Sequence, residues 1–287
     1  MTWEEAVDWM RKQPGLEHSV LDNYFETDLL GSAIRFEESE EFEETMEKVI
    51  SYRLSAIGVD NRQHPTSLLD IGAGRGIASY AFAKQGFLVT SLEPDPSNDV
   101  GAGAIRQIAK KAGLHIEVLE NWGESLPFAD GKFDVVYVRQ VLHHAHDLPK
   151  FLQECARVLK PGGVFMSTRD HVISGPEQMD GFLKNHGLHH LYGGENAFML
   201  DEYQDAIERA GLYIKRQLGS YDSVINYAPM TKAKFRWNVE SKLAKILTKP
   251  VAKMICDSAF FMKIVARMKS ISDKLPGRLV SFIAIKP

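Results

Sequence analysis

The chain has 287 residues, 44% of them apolar and 25% charged, with a net charge of −4; this is the profile of a soluble globular protein with a real core, not of a disordered chain. Its two cysteines, Cys155 and Cys256, are far apart and in no C-x-x-C pair, which argues against a disulfide framework or a structural zinc site and fits a cytoplasmic setting. No basic-then-apolar leader and no run of about 18 apolar residues is visible, so neither secretion nor a membrane span is expected.

Residues 1–62 read as a helical cap. Thr2 and Glu5 form a capping box, and Pro14-Gly15 ends that helix. Ser39 caps a second, in which Phe42, Met46, Val49, Ile50 and Leu54 recur at helical spacing. From residue 66 strands and helices alternate: strand Ser67–Ile71, helix Ile77–Gln85, strand Phe87–Leu92, helix 101–113, strand His115–Leu119 and strand Phe133–Val138. A helix follows with Leu148, Phe151, Leu152, Cys155, Val158 and Leu159 on its core face; Pro161-Gly162-Gly163 breaks it before strand Val164–Thr168. Residues 173–199, rich in Gly, His and Asn, interrupt the alternation before helix Leu200–Ala210 and strand Leu212–Gln217. Residues 223–277 predict two helices carrying most of the lysines, and Arg278–Ile285 closes the chain as a strand. The order predicts an α/β fold with a mostly parallel sheet covered by helices on both faces and ligands at the carboxyl ends of its strands. The expected core is 63–222 plus 278–287, with 173–199 as a substrate-side insertion.

The most informative stretch is Leu68-Leu69-Asp70-Ile71-Gly72-Ala73-Gly74-Arg75-Gly76. A strand running into a glycine-rich turn and then a helix brings backbone amides close to a ligand. The spacing is G-x-G-x-G, not the G-x-G-x-x-G of dinucleotide sites. Glu93 lies 21 residues after Gly72 at the end of the second strand, where one carboxylate can accept from both hydroxyls of a ribose.

Together with Glu124-Ser125-Leu126-Pro127-Phe128, Phe133-Asp134-Val135-Val136, Leu142-His143-His144 and Val158-Leu159-Lys160-Pro161-Gly162-Gly163, these motifs resemble the class I S-adenosylmethionine-dependent methyltransferases, above all the group that includes the quinone-biosynthesis enzymes. The resemblance covers about residues 66–170. It implies a seven-stranded Rossmann-like sheet whose last strand inserts antiparallel, and S-adenosylmethionine as cofactor. By the same resemblance Asp70, Gly72, Gly74 and Gly76 line the methionine and ribose side, and Glu93 binds the ribose. Trp122 and Gly123 meet the adenine edge, and Arg139 and Gln140 sit beside the sulfonium. Many relatives carry an acid where Trp122 stands. Here the tryptophan either packs on the purine or fills the cap interface, and Asn121 or Glu124 replaces the missing acceptor.

Seven of the ten histidines fall between residues 143 and 190, the region expected to face the methyl donor. His143, Asp170 and His171 are the candidate catalytic residues; an Asp170–His171 pair could orient a base, although neighbours on an extended segment point apart. Arg169, His190, Tyr192, Glu195 and Asn196 are candidates for substrate binding. No H-x-x-x-H or Cys/His set lies on one element, so no metal is expected.

The acceptor is expected to be a small molecule or glycan-like, methylated at oxygen, with nitrogen or carbon of a lipid-linked or quinone-like acceptor as the alternative. A nicotinamide-dependent oxidoreductase and a non-catalytic cofactor-binding partner are rival readings. Charge is polarised: residues 1–62 hold 15 acids and 6 Lys/Arg, whereas residues 231–287 hold 13 Lys/Arg and 3 acids. Either the ends pack together or the basic end meets an anionic partner. An amphipathic stretch at 242–269 is thus a lid, a packed cap or a peripheral contact with an anionic membrane. The overall acidity and the lack of a basic–aromatic motif speak against nucleic acid. Oligomeric state is not legible.

Overall fold

The computed structural model describes residues 28–57, 65–186, 189 and 194–287. The Thr2–Glu5 capping box, His190 and Tyr192 lie outside the described residues. Two helices precede the sheet. α1 (Leu29–Glu37) starts where the Asp28 carboxylate accepts the Gly31 amide, and it buries Leu29, Ala33 and Phe36. α2 (Glu40–Ile57) starts at Ser39, whose hydroxyl accepts the Phe42 amide at 3.1 Å, as the sequence predicts.

The core then alternates as expected: β1 (Ser67–Ile71), α3 (Ile77–Lys84), β2 (Leu88–Leu92), α4 (Ala102–Ala112), β3 (Ile116–Leu119), β4 (Phe133–Arg139), α5 (Leu148–Val158) and β5 (Leu159–Ile173). After α6 (Met179–Asn185) and the two-residue β6 (Phe198–Met199) come α7 (Leu200–Arg209) and β7 (Tyr213–Leu218). Four helices follow, α8 (Val224–Tyr227), α9 (Lys232–Leu243), α10 (Lys249–Cys256) and α11 (Ala259–Ser272), before β8 (Arg278–Ile285). The strand order is β3-β2-β1-β4-β5-β8-β7, with β6 beside the end of β5. β8 runs antiparallel between β5 and β7, and the other pairs are parallel. The inserted antiparallel last strand is the one that the resemblance implied.

Alternation along the strands builds two cores. Leu69 and Val136 point into a cluster with Phe151, Leu152 and Cys155 of α5, while their neighbours Leu68 and Val135 point into one with Phe82 of α3 and Ile105 of α4. α5 presents the apolar face predicted for it, each fully buried side chain contributing about 1.5–3 kcal/mol.

Two expectations are corrected. β5 does not end at Thr168 but continues to Ile173, because β8 goes on pairing with it: Asp170 faces Val280, His171 faces Leu279 and Val172 faces Arg278 after a register shift at 167–170. Residues 169–171 are therefore inside a strand, not beyond one. The 223–277 segment has four helices, not two, since Pro229 and fresh N-caps at Thr231 and Ser258 divide it.

Candidate active site

The glycine turn leaves β1 with Gly72, Gly74 and Gly76 at φ of +64°, +52° and +79°. At Gly72 a Cβ would stand 2.5 Å from the Val141 side chain, so both the backbone and the space require glycine. Glu93, at the end of β2, is buried and sits over this turn. Its Oε2 accepts the Gly74 amide at 2.7 Å, and its Oε1 accepts the Asp95 amide at 3.0 Å. Burial raises its pKa despite these bonds. Asp70, also buried, turns to α3: its Oδ2 accepts from the Ser79 hydroxyl at 2.6 Å, which in turn bonds the Ser91 hydroxyl at 2.7 Å. Burial pushes Asp70 up to about 7. Asp70 thus ties the strand before the turn to the helix after it.

Trp122 is 61% exposed and stands edge-on to His146, ring centroids 6.1 Å apart, at a cavity of about 420 Å³ shared with Glu124, Asp147 and Lys150. Among the described residues it fills no cap interface. Asn121 and Glu124 each accept a local amide, from Trp122 and His146 respectively. Gly123 has a packing reason of its own, since a Cβ there would fall on the Phe151 ring.

Beside the turn, the end of β4 and the register shift within β5 carry an uncommon pair. Gln140 and Arg169 are the two non-glycine residues with positive φ among the described residues, +57° and +62°, and the Gln140 amide donates to the Thr168 carbonyl at 2.8 Å. Both arginines of the region are claimed by the cap. Glu41 of α2, buried, accepts from Arg139 Nε at 2.8 Å and lies 3.8 Å from the Arg169 guanidinium. Burial pushes the Glu41 pKa up, but the two guanidiniums outweigh it and the net shift is downward. Arg139 also donates to the Gln140 side chain, and Arg169 donates to the Ile225 and Ala228 carbonyls around α8. Arg169, expected at the rim, is instead an internal tie between β5, the cap and the C-terminal segment. Glu41 was not found from sequence: on a helix with acids at 40, 41, 43, 44 and 47, nothing but its facing distinguishes it.

One residue further on lies a cluster of histidines and carboxylates. Asp170, fully buried, accepts the Val141 and Leu142 amides at 3.2 and 2.9 Å and meets His143 Nδ1 at 3.2 Å. The carboxylate's partner is therefore His143, not its neighbour His171. Strand alternation sends His171 elsewhere, and its Nδ1 lies 2.8 Å from the Gly277 carbonyl. Around them stand His144, whose ring centroid is 4.2 Å from that of His143, and His186, 5.1 Å from His171. Glu195 reaches in from beyond α6, with Oε2 3.8 Å from His143 Nε2. Burial lowers His143 well below the usual range, takes His171 to about 4 and pushes Asp170 and Glu195 up to about 7. Asn196 is half-buried beside Glu195. The structure thus gathers His143, Asp170, His171 and Glu195 in one place, with Arg169 directed away from them.

Comparison with known proteins decides what this frame is. Residues 69–167 match the methyltransferase domain family. The chain carries a class I S-adenosylmethionine-dependent methyltransferase domain. A ubiquinone biosynthesis O-methyltransferase of Methylobacterium nodulans is 33% identical over 156 residues, 52% of this chain and 60% of that protein. The chain spans about three fifths of that relative's length. In structure, a geranyl diphosphate C-methyltransferase of Streptomyces coelicolor A3(2) superposes with a TM-score of 0.56 at 15% identity, over 85% of this chain and 76% of that one. The cyclase SpnF does so with a TM-score of 0.52 at 17% identity, over 85% and 82%. One methyltransferase frame therefore carries different reactions, and the acceptor has to be argued from the site.

Proposed function

We propose that the protein is an S-adenosylmethionine-dependent O-methyltransferase acting on a small hydroxylated acceptor. The carrying observation is the link between the two halves of the site: Val141 packs on Gly72 of the donor turn, while its amide is held by Asp170 of the histidine–carboxylate cluster. A group received at the cluster lies next to the methyl donor. In this reading Glu93 exchanges its hold on the Gly74 amide for the ribose hydroxyls, the glycine turn gives its amides to the methionine end, and Trp122 covers the adenine. Displacement at a sulfonium methyl needs alignment and exclusion of water above all. The buried Glu41–Arg139–Arg169 triad fixes the strand ends where that alignment is set. Oxygen is favoured because the cluster offers imidazoles and carboxylates to an acidic hydroxyl, and because a relative is named as an O-methyltransferase.

The basic C-terminal helices suit a peripheral contact with an anionic membrane that would present an apolar acceptor. Ile246, Met254, Phe260, Met268 and Ile271 are exposed among Lys245, Lys249, Lys253, Lys263 and Lys269. Of these, Lys263 and Met268 border a cavity of about 1240 Å³ at the β7 edge, not the histidine cluster. Among the described residues no helix is long and apolar enough to cross a membrane. Calorimetric titration with S-adenosylhomocysteine and with NAD tests the donor side, and methyl transfer to a catechol tests the acceptor side. Binding of NAD alone would end the proposal.

A further inference from the structure

We infer that His143, His171 and Glu195 form a binding site for a single first-row divalent transition-metal ion, with zinc the ion to try first. Each residue places one ligand atom within 4.8 Å of the other two. They come from three different elements: the turn after β4, the strand β5 and the segment before β6. Spacing within one element could not reveal them.

Three observations point to a ligand and not to a chance meeting of polar groups. First, both imidazoles have their Nδ1 occupied, His143 by the buried Asp170 carboxylate at 3.2 Å and His171 by the Gly277 carbonyl at 2.8 Å. A histidine that bonds a carbonyl or carboxylate through Nδ1–H presents an unprotonated Nε2, the tautomer and orientation of a metal ligand. Second, Glu195 Oε2 is buried and finds no hydrogen-bond donor among the described residues, although its side chain is only 7% exposed. A buried carboxylate oxygen without a donor is costly unless something positive meets it. Third, that oxygen stands 3.8 Å from His143 Nε2, and tetrahedral ligands of zinc lie about 3.3–3.5 Å apart. A shift of roughly half an ångström would close that pair, and all three ligand atoms already lie within 4.8 Å of one another.

The donor chemistry narrows the ion. Two imidazoles and one carboxylate suit zinc, manganese or iron, whereas magnesium and calcium prefer oxygen throughout. His186, with Nδ1 3.8 Å from Glu195 Oε1, borders the set without belonging to it, and water would fill the fourth position. Asp170 is then the outer partner that orients His143. The site is independent of which acceptor is methylated.

The test uses the untagged full chain, stripped with chelator and dialysed. Zinc binding is measured by competition with a chromophoric chelator, bound metal by elemental analysis, and cobalt(II) binding by visible absorption. One ion per chain at micromolar affinity or tighter is expected, with the intense visible bands of a four-coordinate cobalt site and a rise in melting temperature on adding zinc. Glu195→Gln, nearly isosteric, and His171→Ala should each weaken zinc by at least tenfold, while His115→Ala, just before the edge strand β3, should not. Absence of zinc binding at micromolar concentration would overturn the inference, as would equal affinity in Glu195→Gln and His115→Ala. Neither readout involves methyl transfer, so failure of the proposed reaction would leave this result standing, and the reverse also holds.

Discussion

Replacing Glu41 by glutamine should cost more stability than any other single isosteric change in the cap. The carboxylate is buried between two guanidiniums that are themselves only 13% and 12% exposed. Glutamine keeps the shape but removes the carboxylate that both guanidiniums share in a medium of low dielectric. Breaking a buried ion pair from one side typically costs about 3–5 kcal/mol. Some is recovered here, since Arg169 keeps the Ile225 and Ala228 carbonyls and Arg139 keeps the Gln140 side chain, so about 3 kcal/mol is expected. With a urea m-value of about 3 kcal/mol per M, the unfolding midpoint should fall by about 1 M. Adding Arg139→Met should return part of the loss, giving a coupling energy above ~1 kcal/mol in a double-mutant cycle. The sign with pH is also fixed. The folded pKa of Glu41 lies below its unfolded value near 4.5, so its contribution is present above pH 4.5 and is lost as pH falls through the folded pKa. The parent–variant gap should therefore narrow in acid. Urea titrations at pH 7 and pH 4 measure it, and a variant within ~0.5 kcal/mol of the parent at pH 7 would refute the reasoning.

Three further outcomes can be checked. Glu93→Ala removes an ionised acceptor of two ribose hydroxyls, each bond worth about 1.5–3 kcal/mol; S-adenosylhomocysteine affinity by calorimetry should drop by on the order of 100-fold or more, and an unchanged Kd would remove Glu93 from the site. Asp70 is raised to about 7 by burial, so its contribution is fully present below pH 3.8 and is lost as pH rises through 7. Asp70→Asn should flatten that part of the stability profile, and a parent-like slope between pH 4 and 7 would contradict it. Vesicles containing phosphatidylglycerol should co-sediment with the protein, less so at high salt. Phe260→Asp with Met268→Asp should release it, and equal binding to neutral vesicles would argue against an electrostatic contact.

Much of the fold was legible because each core segment advertises its period and its stops. The apolar strand Ser67–Ile71 before the glycine turn, the apolar face of Leu148–Val158 and the cap at Ser39 are local facts that local reading recovers. The end of β5 was not legible, because residues 170–173 stay extended by pairing with residues 278–280, more than a hundred positions away, and with β6. The meeting of Glu93 with the glycine turn was readable for the same reason that the turn was: Gly72, Gly74, Gly76 and Glu93 are placed by one strand–turn–helix unit and its neighbour. The acceptor side was readable only as a crowd of histidines. Which of them meet, that Asp170 serves His143, and that Glu41 serves two arginines, follows from how three layers stack.

The Glu41 triad also bears on how such a protein can be altered by descent or by design. One charge comes from the cap and two from adjacent core strands, so exchanging any one member alone disturbs the other two. A cap borrowed from a relative that lacks an acid at this place would take from both guanidiniums the carboxylate they share, and a core without them would take both cations from the acid. The cap and the core are therefore bound to vary together. A graft meant to change the acceptor would have to carry all three residues at once, and sequences that descend from this one should keep the three or lose the three.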